Sequence, residues 1–393
     1  MTKRKILFIN DSIWSGSGVF RSLQQILNHL NYEKYNVTLF ITPGAIVEPQ
    51  MQALMPPEIN VIIGEDHTHY YRNPLIAADY VLAQVTKRCR MKKPAAFFQR
   101  RSRQRIREKR NRAPAITYFK DELFDVVVAN TVPSCAEIAW HIRAKKKYVL
   151  FRSSRAEFFP AQTRQSFAVC TGVIAVSQGV AQMLRKAYPA YAEKVLTIPN
   201  YVDADAVLKM AADPYSPPDN RLTICSCGRL SREKGFDLAV EAARILKAQG
   251  VSFFWFFVGD GEARPTIENR IAQYGLQDSI RITGILQNPF PYISHCDIYV
   301  QPSREESYGR TIMEALILGK AVVSTETVGS LSIIRQGETG ILTPISAQGL
   351  ADGILPLTRD PLLRSAMENK YTTAENLNEK KAFSAAWNDL LSE

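Results

Sequence analysis

Short apolar runs alternate with stretches of helical period along most of the chain. Lys5 to Asn10 reads as a buried strand. After the turn Ser15-Gly16-Ser17-Gly18, apolar residues recur at helical spacing through Val19, Phe20, Leu23, Ile26, Leu27 and Leu30. Val37 to Ile41, Val61 to Ile63, Asp125 to Ala129, Tyr148 to Phe151 and Gly172 to Val176 predict further strands. The Pro-rich stretch Asp213 to Asp219 reads as a linker. A second alternation opens at Leu222 to Cys227. It runs through the loop Gly228 to Gly235, a helix carrying Leu238, Val240, Ala243 and Leu246, and strands at Phe253 to Val258, Ile280 to Thr283, Ile298 to Val300 and Ala321 to Ser324. Strands regularly interleaved with helices predict an α/β protein with two doubly wound parallel sheets. The tail, Asp360 to Glu393, reads as polar helix with Trp387 as an anchor that must pack on something.

In such sheets ligands gather beyond the carboxyl ends of the strands. That makes Asn130, Thr131, Arg152, Ser153, Ser154 and Ser177 candidates for a substrate cleft, the first four on the acceptor side. Turn chemistry alone accounts for the same residue types. His141 falls in a predicted helix before the second of these strand ends.

Charge changes the picture at one place. The net charge is +11, yet Lys87 to Arg112 alone holds thirteen basic residues against Glu108, so the remainder is close to neutral. Phe97, Phe98 and Met91 sit among these cations. The segment suits an anionic membrane surface, nucleic acid phosphates or a merely solvated helix; the first is the expected role and nucleic acid the least favoured. His67 and His69 alternate in a polar stretch that follows Glu65-Asp66 and has no cysteine neighbour, which suits a loop better than a metal site. The longest apolar run, Val251 to Val258, is far shorter than the roughly 20 residues of a membrane-spanning helix. Scattered cysteines and a start that runs from Lys3-Arg4-Lys5 directly into Ile6-Leu7-Phe8-Ile9 lead us to expect a cytoplasmic protein.

The candidate chemistry concentrates between Gln301 and Leu316. A strand is followed by Pro302-Ser303-Arg304-Glu305-Glu306-Ser307-Tyr308-Gly309 and then by a predicted helix carrying Glu314. A helix start offers unpaired N–H groups to a phosphate, while carboxylates suit sugar diols. The stretch therefore reads as a site for a sugar nucleotide, or more simply as a capped helix after a strand. Arg229 and Lys234, in the Gly-flanked loop of the same half, are suited to neutralise a departing diphosphate. No Asp-any-Asp motif stands directly beside a predicted strand, which favours transfer without a metal.

These pieces occur in a specific order: Ile198-Pro199-Asn200, Gly228-Arg229-Leu230 with Lys234-Gly235, Gly259-Asp260-Gly261, Thr283-Gly284, Pro302-Ser303 with Glu306 to Glu314, Gly319 to Ser324, and Gly337 to Gly340. The set resembles the retaining GT-B glycosyltransferases of family 4, also called glycosyl transferases group 1. The resemblance implies two Rossmann-like domains facing across a cleft: 1–205 for the acceptor, with the basic insertion 87–112, and 206–370 for the donor. Residues 371–393 would form a helix crossing back to the first domain. It implies that Glu306 holds donor sugar hydroxyls, Glu314 the ribose diol, and Arg229 and Lys234 the diphosphate, with Glu306, Arg229 and Lys234 as the catalytic set. Gly228, Ser307, Tyr308, Gly309, Arg310 and Thr311 would line the diphosphate, Leu286 the base, and Gly16 and Gly18 would approach from the first domain. The co-substrate would be a UDP- or GDP-sugar, with no other cofactor. The acceptor would be a lipid-linked saccharide or glycan of the bacterial cell surface, at the inner face of the membrane. Transfer would retain anomeric configuration by front-face attack. Two departures stand out. Ser307-Tyr308 replaces a common Gly-Phe, and Phe151-Arg152 stands where relatives carry a histidine. The competing readings are an epimerase-like sugar-nucleotide enzyme and a non-catalytic nucleic-acid-binding protein.

Overall fold

Among the described residues thirteen strands form two sheets, and seven of them build the first. In the computed structural model they are β1 (Arg4–Asn10), β2 (Tyr35–Ile41), β3 (Asn60–Ile63), β4 (Phe124–Ala129), β5 (Ala144–Phe151), β6 (Gly172–Ala175) and β7 (Val195–Thr197), in the order β3-β2-β1-β4-β5-β6-β7. The second sheet orders β8 (Leu222–Cys227), β9 (Phe253–Val258), β10 (Ile280–Gly284), β11 (Ile298–Gln301), β12 (Ala321–Thr325) and β13 (Gly340–Thr343) as β10-β9-β8-β11-β12-β13. Every neighbouring pair is parallel. The structure describes residues 2–14, 17–65, 78, 81–82, 85–86, 112–114, 117–156, 160–216 and 219–393. Gly16, His67, His69 and all of the basic segment except Arg112 lie outside them.

The central strands are apolar throughout because helices cover both faces of each sheet. Ile6 to Ile9, Val126 to Ala129 and Phe253 to Val258 are all buried. In each sheet the strand order reverses once, between β1 and β4 and between β8 and β11. These are the two positions where a doubly wound sheet opens a crevice at its carboxyl edge.

The structure departs from the pattern reading in a few places. β5 begins at Ala144, four residues before the expected Tyr148, and takes in three lysines. Each has a partner: Lys145 reaches Asp125 at 2.6 Å, Lys146 reaches Glu393 at 3.6 Å, and Lys147 donates to the Trp140 carbonyl at 3.1 Å. β7 and β13 were not expected; both are short, and both pair on one side only, at the edges of their sheets. His141 follows the end of helix Ser134–Ala139 rather than lying inside it. The expected linker is anchored at Tyr215, whose ring packs against Phe256, Tyr292 and His295. The expected boundary at 205/206 falls within helix Ala204–Ala211, whose end is tied to the second domain by Asn288 Nδ2, donating to the Met210 carbonyl at 2.7 Å and to Asp213 at 2.8 Å.

The last helix, Thr373–Ser392, crosses back to the first domain. Phe383, Trp387, Leu390 and Leu391 join the core formed by Phe8, Phe20, Leu23 and Tyr35, and the Trp387 ring lies 6.2 Å from that of Phe8. Asn376 sits at the crossing point. Its Oδ1 accepts from the Tyr201 hydroxyl at 3.0 Å and the Ala204 N–H at 3.3 Å, and its Nδ2 donates to the Val202 carbonyl at 2.9 Å. A reciprocal cap starts the helix: the Glu375 N–H donates to Thr372 Oγ1 at 3.1 Å and the Thr372 N–H to Glu375 at 2.6 Å.

Trp387→Ala will remove a fully buried anchor and is expected to cost the first domain about 3–5 kcal/mol, read from denaturant unfolding. Thr372→Ala will cost about 1 kcal/mol. The Thr372 N–H holds the Glu375 carboxyl below its ordinary range. Its contribution is therefore present above the unfolded-state pKa and is lost as pH falls through the lower folded value. The melting-point gap between wild type and Glu375→Gln should accordingly close in acid.

Candidate functional site

The candidate site lies at the β8/β11 crevice. From β8 the chain enters the loop Gly228 to Ser231, then a single 3₁₀ turn, Arg232–Lys234, then helix Phe236–Ala248. Gly235 joins turn to helix at φ 67°, and a Cβ there would sit 1.9 Å from the Pro302 carbonyl oxygen. Only glycine permits both that backbone and that approach. The turn is thereby pressed onto the segment that follows β11. The N–H groups of Arg304 and Glu305 donate to the Glu233 carbonyl at 2.8 and 3.2 Å. Arg304 forks onto Asp237 at 2.6 and 2.7 Å; burial would raise the Asp237 carboxyl, but this fork brings it below its usual range.

This packing brings Lys234 to Glu306. The ammonium lies 2.6 Å from Glu306 Oε1, and Glu306 is only 8% exposed. The same oxygen accepts from Ser303 Oγ at 2.9 Å and from Gln301 Nε2 at 3.3 Å. Gly309, at φ 83°, then turns the chain into helix Arg310–Ile317, so that the first-turn amides of Arg310 and Thr311 come before any intrahelical acceptor. Glu314 is buried on this helix, one oxygen accepting from Arg310 Nε at 2.9 Å. Arg310 Nη1 is buried and has no hydrogen-bond partner among the described residues. The Cys227 thiol, at the end of β8, is pushed up to about 12 by burial and then by the Glu314 carboxylate, with Arg21 and Lys234 pulling the other way. Lys234 and Glu306 are thus in contact, Gln301 bonds both Glu306 and Thr311 of the helix start, and Glu314, Lys234 and Arg21 of the first domain all lie within electrostatic reach of Cys227.

The remaining expected donor residues are placed as follows. Gly228 donates its N–H to the Val258 carbonyl at 3.0 Å. Arg229 is exposed and paired with Glu233 at 2.7 Å. Leu286 is half-buried against the core, beside the exposed Ile285. Tyr308 is buried, which pushes its phenol up. Gly18 is the first residue of helix Gly18–Asn28, which Ser17 Oγ caps by accepting the Phe20 N–H at 3.1 Å. Asp203 and Asp205 form the one Asp-any-Asp spacing in the chain, and Asp203 is used to cap helix Ala204–Ala211. Among the described residues no group of three or more His, Cys, Asp or Glu is placed to hold a metal ion.

The four acceptor-side candidates share one rim at the β1/β4 crevice. Asn130 Nδ2 donates to Asn10 Oδ1 at 2.7 Å, and Thr131 Oγ1 to Asp11 at 3.1 Å. Arg152 Nη2 donates to Asn130 Oδ1 at 2.6 Å, and its Nη1 to Asn200 Oδ1 at 3.2 Å. Burial pulls the Arg152 guanidinium down to about 10, with Asp11 opposing. Ser153 Oγ accepts the Arg155 N–H at 3.0 Å. This rim meets the candidate donor loop directly: Ser177 Oγ donates to the Ser307 carbonyl at 2.7 Å, and Arg155 pairs with Glu305. Sequence reasoning gave no role to Gln301, Arg21, Asn10 or Asp11. Only the positions of Asn10 and Asp11 at the end of β1 offered a signal.

Comparison with known proteins identifies the family and the fold. The family model described as Glycosyl transferases group 1 matches residues 211–373, and that described as Glycosyltransferase Family 4 matches residues 16–206. An alpha-D-kanosaminyltransferase of Streptomyces kanamyceticus is 35% identical over 38% of this chain, a match spanning only 39% of that relative. A lipopolysaccharide core biosynthesis glycosyltransferase of Rhizobium meliloti, LpsE, is 27% identical over 61% of this chain and 69% of its own. Among solved structures, Anabaena HepE in complex with UDP-glucose superposes with a TM-score of 0.68 at 19% identity, covering 99% of this chain and 98% of that one. S. aureus TarM does so with 0.70 at 13% identity, covering 99% and 100%. These structures share the fold of two facing sheets. With both halves matched in order, the chain belongs to the group 1, family 4 glycosyltransferases and has the GT-B fold.

Proposed function

We propose that the protein transfers a hexosyl group from a UDP- or GDP-sugar to a saccharide or lipid-linked glycan in bacterial cell-surface polysaccharide synthesis. The observation that carries this reading is the Lys234–Glu306 pair beside the amides of Arg310 and Thr311, with Glu314 on the same helix. A cation and free amides suit a diphosphate, and two carboxylates suit the hydroxyls of sugar and ribose. The named roles of relatives support the class of pathway: lipopolysaccharide core synthesis in Rhizobium meliloti, amylovoran synthesis in Erwinia amylovora and colanic acid synthesis in Salmonella typhimurium. The UDP-glucose bound to HepE supports a nucleotide-sugar donor.

In the proposed chemistry, Lys234, Arg229 and the helix start stabilise negative charge as the anomeric C–O bond to the diphosphate breaks. The acceptor hydroxyl forms the new C–O bond on the same face. Its proton passes to the departing phosphate, so configuration is retained and no metal is required. Asn130, Thr131, Arg152 and Ser153 border the acceptor side. The excess of positive charge in residues 87–112 is assigned to an anionic bilayer, which would hold the enzyme at the inner face of the membrane. Among the described residues no helix is long and apolar enough to cross one.

A thermal-shift panel of nucleotide sugars should give a raised melting point for a UDP- or GDP-sugar; no shift with any of them would sink the reading. Glu314→Ala should weaken donor binding about tenfold or more, since a buried carboxylate hydrogen bond contributes on the order of 1.5–3 kcal/mol. Lys234→Ala should lower kcat by about 10²–10³, measured as release of nucleoside diphosphate. The chain should float with anionic liposomes at low salt and stay behind with neutral ones.

A further inference from the structure

One buried side chain joins the two halves of the candidate donor site. Gln301 ends β11 and is 1% exposed. Its Oε1 accepts from two hydroxyls, Tyr299 at 2.7 Å and Thr311 at 2.8 Å. Its Nε2 donates to Ser303 Oγ at 2.8 Å and to Glu306 Oε1 at 3.3 Å. The amide has one acceptable orientation. Turned over, its oxygen would face a carboxylate oxygen with no proton between them.

This arrangement sets both sides of the crevice. Glu306 Oε1 takes Lys234, Ser303 and Gln301 together, so Oε2 is the oxygen left for a ligand hydroxyl. Thr311 belongs to the first turn of helix Arg310–Ile317, and its hydroxyl is drawn inward to Gln301. The first-turn amides are thereby held at a fixed offset from Glu306. A buried network with every member paired is rigid, and one missing member leaves several polar atoms unsatisfied.

We propose that Gln301 is a positioning residue that locks the sugar-facing carboxylate of Glu306 to the phosphate-facing helix start, so that both parts of the donor are gripped in one frame. It acts through Glu306 and Thr311 and needs no contact with substrate. The proposal rests on the donor-site reading given above.

The test is calorimetric titration of the full-length protein with three pairs of probes: UDP and UDP-glucose, UDP and UDP-N-acetylglucosamine, and GDP and GDP-mannose. The pair that wild type binds is then carried to the variants, and the readout is the Kd of the sugar nucleotide divided by that of its diphosphate. Gln301→Met keeps the length and removes the amide; it should raise this ratio about tenfold, the scale on which misplacing a contact group acts. Thr311→Val should shift the ratio in the same direction by less. Gln301→Glu puts a second carboxylate against Glu306, with Lys234 the cation facing the pair. Two such groups share a proton in acid and repel when both are ionised. The ratio for Gln301→Glu should therefore lie near wild type at low pH and rise with pH. A folded Gln301→Met with the wild-type ratio, or a Gln301→Glu profile superimposable on that of wild type, would overturn the proposal alone. If Gln301→Met does not fold, Thr311→Val and Gln301→Glu decide the question by the same criteria. Wild type binding none of the nucleotides would overturn the donor-site reading itself.

Discussion

A carboxylate at 8% exposure needs a cation and donors around it, and the architecture of the second domain supplies them to Glu306. The ammonium comes from Lys234, seventy-two residues earlier, at 2.6 Å. That meeting requires the turn after β8 to lie flat on the segment after β11. β8 and β11 are neighbours only because the strand order reverses there, and the turns can touch only because Gly235 has no side chain where Pro302 passes. Strand order, glycine and ion pair are thus one constraint seen at three scales. An unpaired Glu306 would leave a charge desolvated, so a chain that assembles the pair also assembles the crevice.

The same logic extends across the domains. The Ser177 hydroxyl caps helix Gln178–Ala187 and at the same time donates to the Ser307 carbonyl. Gly179 lets Val328 approach closely; a Cβ there would meet its carbonyl oxygen at 2.7 Å. Arg155 reaches Glu305, next in sequence to Glu306. The first domain therefore touches the candidate donor loop itself rather than a remote part of its partner. Helix Thr373–Ser392 supports this closeness from the other side, with Asn376 holding the chain that leaves β7 and Trp387 seated in the first core. The candidate acceptor rim and the candidate donor site are brought together because three separate parts of the chain hold them so.

Much of this was legible from residue order. The strands of both sheets carry strong apolar runs, and buried parallel strands must be apolar on both faces, so Lys5 to Asn10 and Phe253 to Val258 could be read directly. Glycines at turns, carboxylates spaced along a helix start and a cationic loop defined the candidate donor chemistry. β7 and β13 escaped because three- and four-residue edge strands have too few positions for a period. The early start of β5 escaped because Lys145, Lys146 and Lys147 read as loop until Asp125, Glu393 and the Trp140 carbonyl are brought beside them.

Sequence by itself determined the α/β class, the two successive strand–helix alternations, the backbone turns and the chemical types present in the candidate site, because these depend on local periodicity and on residue chemistry. Tertiary structure alone decided which of those groups meet. Gln301 is an unremarkable amide until Tyr299, Ser303, Glu306 and Thr311 close around it, and Arg152 is a rim residue in sequence but a tie between Asn130 and Asn200 in space. Hydrogen bonds and ion pairs act over a few ångströms, and separations of tens to hundreds of residues become such distances only when the sheets order their strands and the last helix returns to the first domain.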